Sequence, residues 1–545
     1  MLAVRVDPSI ELCMYNNTTY ELSCNHTIII LRRSLILSFS TIIINLCLLG
    51  VTLPSYMMPT TPTHQTNTLA TIRDITLVIS GVVVSLSSIL LLSYQYNKQN
   101  SYNIRPIKSS NKQLNRNDVI HSCSNETELE DDTLLTMHRP LPFGGELGMS
   151  IPIITSSTFN LRSTAHTKQL ANHTNLYDPN PGGYFYTRWG NPTAHACSDV
   201  IASIENGVSS TLYSSGMSAI SAVFLTLMNN ESHMIVPNSI YGGTHEFIKQ
   251  YASKYGFQHS TVDTTEISNI INSIQPNTKL IYLETPSNPT MRLTDIPQIR
   301  YKLIELNRTD IIIAVDGTFA SPYHTKLLDI GADISIHSCT KYLGGHSDLT
   351  AGVVTCRNIE LLNKLTHCRT IVGGTIDAFT AFLLHRGLKT LSVRMKQHNY
   401  NAMKIAQYLQ SHPLIKSVYY PGLTSHPDHQ LAQKLYSNGY GGMLSFELKG
   451  DDNDSTVAVR AGSVLVDSLN IITLAVSLGS TESLIVAPAS TTHSMLTREQ
   501  RIAAGIDDGL VRFSVGIEHV DDLISDLDQA LQHVDIQVYS KLCKT

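Results

Sequence analysis

The chain has no excess of positive charge: 39 Lys and Arg stand against 44 Asp and Glu, for a formal charge of −5. Without a basic field there is little to neutralise a phosphate backbone, which argues against nucleic acid as a partner. Paired cysteines are also missing. The nine cysteines include no C-x-x-C, and Cys197, Cys339, Cys356, Cys368 and Cys543 are scattered through the later part. Reduced thiols in a cytosolic setting fit this better than a disulfide framework. A metal-ligand cluster is lacking as well, because His426-Pro427-Asp428-His429 lies in a Pro/Gly-rich loop without further ligands and reads as a surface turn. No internal repeat is found, so the chain is not a solenoid.

Two long uncharged runs are present near the start. Residues 34–53 and 75–94 are each about twenty residues rich in Leu, Ile and Val, long enough to cross a bilayer as a helical hairpin. Arg32 and Arg33 precede the first, Lys98, Arg105, Lys108, Lys112 and Arg116 follow the second, and Arg73 and Asp74 cancel between them. This bias puts both ends in the cytoplasm. Glycosylation sequons at Asn16, Asn17 and Asn25 argue for a lumenal start, but similar ones at Asn230 and Asn307 lie deep in the chain, so the pattern is near background. A signal peptide fits poorly, since the first apolar run starts late and a second follows. The polar stretch at 95–140, which turns acidic at Glu126, Glu128, Glu130, Asp131 and Asp132, is expected to be a disordered linker.

Beyond it, apolar runs and helical patterns alternate from about residue 200 to 382, as in a parallel sheet covered by helices. Ile311 to Val315 form a β-branched run closed by Asp316, an acid at a strand's carboxyl end, where α/β sheets place ligands. The plain alternative is an Asp that caps the turn through Gly317 and Thr318. Further on, Ser338-Cys339-Thr340-Lys341 sets a lysine among hydroxyls. Together these are what pyridoxal 5'-phosphate requires: an amine for its aldehyde, hydroxyls for its phosphate and a carboxylate for its ring nitrogen.

The segment from Asp333 through His337-Ser338-Cys339-Thr340-Lys341-Tyr342-Leu343-Gly344-Gly345-His346-Ser347-Asp348 resembles the cofactor-attachment segment of the Cys/Met-metabolism PLP enzymes. That family includes cystathionine γ-synthase, cystathionine β- and γ-lyases and methionine γ-lyase. The resemblance runs from about residue 141 to 534 and implies an α/β, aminotransferase-like architecture of fold type I. A PLP-binding catalytic domain at 141–390, with a parallel-rich sheet, precedes a smaller α/β domain at 391–545, bridged by a helical pattern at 393–409. Strands are expected at 417–420, 442–448 and 510–515.

The resemblance also implies roles. Ser215, Gly216 and Met217 precede a helix-like run and are implied to bind the cofactor phosphate, although a serine and glycine there are more often an ordinary cap. Ser338, Thr340 and Thr318 join the cofactor set. Tyr241, before two glycines, would stack on the ring and relay protons, and Asn288 in Thr285-Pro286-Ser287-Asn288-Pro289 would meet the phenolic oxygen. Arg512 would fork onto the substrate α-carboxylate, helped by Ser477. Tyr186 and Arg188 would reach the phosphate in a neighbouring subunit, which implies a homodimer or homotetramer with shared sites.

Three departures bear on substrate. Gly317 stands where members usually carry Asn. Gly243 replaces a cysteine of bacterial methionine γ-lyases, whereas Val476 replaces a glutamate of animal cystathionine γ-lyase. The implied function is a carbon–sulfur lyase acting on cystathionine or methionine, with Lys341 as cofactor anchor and proton carrier. Cystathionine γ-synthase and a membrane-tethered non-catalytic scaffold are the alternatives.

Overall fold

The computed structural model describes residues 129–137, 149–171, 183–451, 454–491, 497–503 and 505–540. The expected hairpin at 34–53 and 75–94 and most of the linker lie outside the described residues. Among those described, no helix is long and apolar enough to cross a membrane.

Seven strands form the first sheet: β1 (Ser209–Tyr213), β2 (His233–Pro237), β3 (Gln258–Val262), β4 (Thr278–Glu284), β5 (Ile312–Asp316), β6 (Ile334–Ser338) and β7 (Gly352–Cys356). Their spatial order is β3-β2-β4-β5-β6-β7-β1. The first five in that order run parallel, and β7 is antiparallel to both β6 and β1. Helices separate the parallel strands in sequence, and a sheet covered on both faces requires apolar side chains on both. The alternation along β4 shows this. Leu280 and Tyr282 join one core with Phe224, Met234 and Ile336, while Ile281 and Leu283 join the other with Ile299, Leu303 and Val315.

A second, five-stranded sheet holds β8 (Ile415–Tyr419), β9 (Met443–Leu448), β10 (Thr473–Leu474), β11 (Leu484–Val486) and β12 (Leu510–Ser514), in the order β10-β11-β12-β9-β8. All neighbours are antiparallel except β10 and β11. Its core joins Phe446, Val511 and Phe513 to Ile405 and Leu409 of the helix Leu391–Ser411 and to Leu523, Leu527 and Leu531 of the helix Val520–Val534. The bridging helix therefore extends two residues beyond its expected span at each end. The three expected strands occur with boundaries shifted by one or two residues.

Two expectations need correction. The acidic stretch expected to be disordered contains a helix at Asp131–Thr136. Leu135 is buried in the core around Ile201 and Leu388, Asp131 pairs with Lys326 at 2.8 Å and Asp132 with Lys396 at 2.8 Å. Acids counted as solvating charge thus find cations distant in sequence. Likewise, the loop read as a surface turn is a clamp. Asp428 accepts both Nε and Nη2 of Arg292, at 2.7 and 3.2 Å, and the backbone N–H of Leu293 at 2.9 Å, while His426 is buried.

Candidate active site

Parallel pairing brings chemistry to the strand ends. Asp316 closes β5 beside Glu284, which closes β4, and the two are register partners. The Asp316 Oδ1 accepts from the Thr318 N–H at 2.9 Å and from the Thr318 hydroxyl at 2.6 Å. Burial pushes its carboxyl above the usual range, and the Thr318 donors oppose that. The same Thr318 hydroxyl accepts from the Ser338 N–H at 2.8 Å, so one side chain ties the acid to the lysine loop. Thr318, expected at the cofactor, uses its hydroxyl to position these two segments.

After Ser338 the chain turns back on itself. Lys341 N donates to Ser338 O at 3.1 Å, and Gly345 N donates to Lys341 O at 2.7 Å. Gly345 has φ +71° and wraps the buried Arg394, whose guanidinium donates to Tyr342 O and Gly387 O, each at 2.8 Å. A side chain on Gly345 would collide with that guanidinium. The result is a fixed stem for Lys341, whose Nζ donates to Ser477 Oγ at 2.6 Å. Burial, then the Arg512 charge, push this amine down to about 8. Thr340, expected on the phosphate, exchanges hydrogen bonds with the backbone of Ala351 at 3.3 and 3.1 Å.

Arg512 comes from β12, in the second sheet. Its Nη1 donates to Asn288 Oδ1 at 3.2 Å and its Nη2 to Ser477 O at 3.1 Å, while Nε is buried without a protein partner. Burial pulls the guanidinium down to about 10, so the site holds a cation poorly compensated by protein groups. Ser477 meets both Lys341 and Arg512 only by adopting φ +93°, a region that non-glycine residues rarely occupy.

The helix Gly216–Leu227 points its N-terminus at the same place. Ser215 is its cap, accepting from Ser218 N at 3.1 Å. The N-terminus is pressed close: a Cβ on Gly216 would lie 2.9 Å from Ser338 Cβ, and one on Gly352 would lie 2.2 Å from Ser215 O. Glycine here lets N–H groups at a helix start come beside the lysine loop, an arrangement that attracts anions. Tyr241 is about half exposed and precedes the helix Gly242–Tyr255. Tyr186 and Arg188 stand apart. Arg188 donates to Thr370 O at 2.7 Å and lies 5.6 Å from the Tyr186 ring centroid, and the partly exposed Tyr186 faces outward.

Sequence reasoning missed Glu284, Arg394 and a buried group behind the acid, in which His337 Nε2 contacts Glu205 Oε1 at 2.5 Å and Ser335 donates to the same oxygen at 2.9 Å. Glu284 directly precedes the Thr285–Pro289 turn and has no local signature of its own. Its burial next to Asp316 could have been read from the parallel pairing alone. Among the described residues no His, Cys, Asp and Glu cluster could hold a metal ion.

This donor set fits pyridoxal 5'-phosphate. An amine at about 8 suits an aldehyde, a buried carboxylate suits a pyridine nitrogen, and the glycine-lined helix start suits a phosphate.

The comparisons with known proteins agree. Residues 145–532 match the family model for Cys/Met metabolism PLP-dependent enzymes. The chain is similar to an L-methionine gamma-lyase of Fusobacterium nucleatum subsp. polymorphum, 40% identical over 388 residues, covering 71% of this chain and 94% of that one. It is also similar to a cystathionine gamma-lyase of Bacillus subtilis, 40% identical over 352 residues, covering 65% and 89%. Among solved structures, cystathionine gamma-lyase from Lactobacillus plantarum complexed with L-serine superposes with a TM-score of 0.67 at 37% identity, covering 75% of this chain and all of that one. Cystathionine gamma synthase from Xanthomonas oryzae pv. oryzae gives the same TM-score at 38% identity and the same coverage.

Proposed function

The chain belongs to the Cys/Met metabolism family of PLP-dependent enzymes and is a PLP-dependent lyase of sulfur amino-acid metabolism; from that premise we propose γ-elimination from cystathionine or methionine at Lys341. When bound, pyridoxal 5'-phosphate supplies the electron sink that makes loss of a proton next to the amino group feasible. The observation that carries the reading is the convergence of Lys341 Nζ and Arg512 on Ser477, the first on its hydroxyl and the second on its carbonyl oxygen. Arg512 orients the substrate α-carboxylate by its planar fork, with its unpartnered Nε as a further donor. That places the substrate Cα before Lys341, whose amine, once free and titrating at about 8, accepts and returns a proton near neutrality. Asp316 is assigned to the ring nitrogen, Asn288 to the phenolic oxygen, Tyr241 to the ring face, and Ser215, Gly216, Met217, Ser338 and Thr340 to the phosphate side.

The test is to offer the full chain, loaded with PLP, cystathionine, methionine and O-acyl-homoserine separately and to identify products. A keto acid plus a thiol supports the lyase. Cystathionine formed on adding cysteine to O-acyl-homoserine would replace it with a γ-synthase, a reading that the likeness to the Xanthomonas synthase keeps in play. A folded, cofactor-loaded protein without turnover would leave the scaffold reading.

We assign the catalytic domain to residues up to about 390 and the small domain to 391–545, each around its own sheet. Tyr186 and Arg188 are assigned to a second subunit's phosphate within a homodimer or homotetramer. Chains carrying Arg188→Ala and Lys341→Ala, nearly inactive alone, then recover up to about a quarter of wild-type activity after subunit exchange. Half of randomly paired dimers are mixed, and each mixed dimer has one intact site. The uncharged runs at 34–53 and 75–94 are proposed to anchor the enzyme in a membrane with the catalytic unit in the cytoplasm. Full-length protein should stay with carbonate-washed membranes.

A further inference from the structure

Glu284 has no part in the chemistry above, yet it is almost completely buried and makes two contacts that single it out. Its Oε2 accepts from the Tyr241 backbone N–H at 2.9 Å, and its Oε1 accepts from the Asn288 backbone N–H at 3.2 Å. Those donors belong to different loops, one after β2 and one after β4. A single further bond, Ser239 Oγ to Asn288 O at 3.2 Å, also joins them. We propose that Glu284 is a positioning residue of the active site: its carboxylate sets the ring-stacking Tyr241 and the phenol-binding Asn288 at a fixed distance from each other, from behind the strand ends.

The side-chain chemistry is specific. A carboxylate offers acceptors at both ends, so it receives two N–H groups that approach from opposite sides. Glutamine has the same shape but presents one acceptor and one donor, and its NH₂ would face an N–H. Alanine holds neither loop. The position also matters electrically, because Glu284 and Asp316 are neighbours across parallel strands. Burial, then Asp316, push the Glu284 carboxyl above the usual range. The backbone N–H groups of Tyr241 and Asn288 oppose that rise by favouring the charged carboxylate.

The inference rests on the assignment of Tyr241 and Asn288 to the cofactor, so the experiment tests both. PLP dissociation constants and the visible circular dichroism of bound cofactor, which reports ring orientation, are measured for Glu284→Gln, Glu284→Ala, Tyr241→Ala, Asn288→Ala and Thr285→Ala. Thr285 is the control: it is buried next to Glu284 and accepts from Thr294 N at 3.2 Å but bonds neither the Tyr241 nor the Asn288 N–H. Glu284→Ala is expected to weaken PLP binding about tenfold or more and to reduce the dichroism. Glu284→Gln should fall between it and wild type, and Thr285→Ala should lower thermal stability alone. If Glu284→Ala does not fold, Glu284→Gln carries the test. Wild-type dichroism and affinity in the Glu284 variants, or an equal loss in Thr285→Ala, would overturn the positioning role. If Tyr241→Ala and Asn288→Ala also leave cofactor binding untouched, the underlying assignment fails instead.

Discussion

On the sheet side of the site, the groups sit at or just past the ends of regular strands. Glu284 and Asp316 finish β4 and β5 in register, and Ser338 finishes β6 three residues before Lys341. On the other side, Ser477 hangs between β10 and β11 with φ +93°, beside Gly479 with φ +75°. That second loop is held from its flanks. Asp526 accepts the N–H groups of Asn470, Ile471 and Ile472 at 2.8, 2.8 and 2.9 Å, and Glu518 accepts the Ser483 N–H at 2.6 Å. Hydrogen-bonded strands fix the first half, whereas two carboxylate anchors and backbone strain fix the second. The rigid half suits a cofactor that never changes, and the loop half is where substrate choice can vary without disturbing the sheet.

The largest effect should come from the rigid half. Lys341→Ala removes the amine proposed both to hold the cofactor and to act as the base, so turnover should fall by roughly 10⁴-fold or more. The visible absorbance of covalently held cofactor should vanish with it. A variant that keeps a borohydride-reducible linkage would show that another lysine does this work. Arg512→Ala should separate the halves. Loss of hydrogen bonds from a charged group should lower kcat/KM about a hundredfold or more, mostly through KM, while the cofactor absorbance persists. Removing that cation also relieves one of the two influences that push Lys341 down to about 8. Because the amine acts as a base only when neutral, its raised pKa should move the rising limb of the rate profile to higher pH. Loss of bound cofactor in Arg512→Ala would break the division between the halves.

The same division explains what could be read from sequence. Asp316 and Lys341 were legible because an apolar run names its own end and a lysine among hydroxyls is locally recognisable. Arg512 and Ser477 became site candidates only through family resemblance, since a strand arginine and a loop serine have no local signature. Glu284 escaped because its meaning comes from Asp316, Tyr241 and Asn288 at once, each distant in sequence. Arg394 escaped because its partners are carbonyls of a turn about fifty residues earlier and of its own approach. The helix at Asp131–Thr136 was hidden by its acids, whose cations Lys326 and Lys396 lie far along the chain. Local pattern thus found the strands and singled out Lys341 and Asp316 as candidates, and missed the side chains whose role is to hold other side chains.

The smallest effect belongs to the loop half and decides substrate. Val476 is 68% exposed and is the immediate neighbour of Ser477, whose hydroxyl meets Lys341, so a change there stays next to the site in the chain without entering its hydrogen bonds. Cystathionine carries a distal ammonium that methionine lacks, and a carboxylate in place of Val476 would attract it through solvent. An exposed pair of this kind contributes up to about 1 kcal/mol, or roughly two- to fivefold. Val476→Glu is therefore expected to raise the kcat/KM ratio of cystathionine over methionine by that factor, with the gain shrinking as salt is added because exposed charges are screened. The cofactor spectrum should not change, since no group on the sheet side is touched. An unchanged ratio would remove this position as a selector and leave the choice to the neighbourhood of Tyr241, where a Cβ on Gly243 would sit 2.6 Å from the ring.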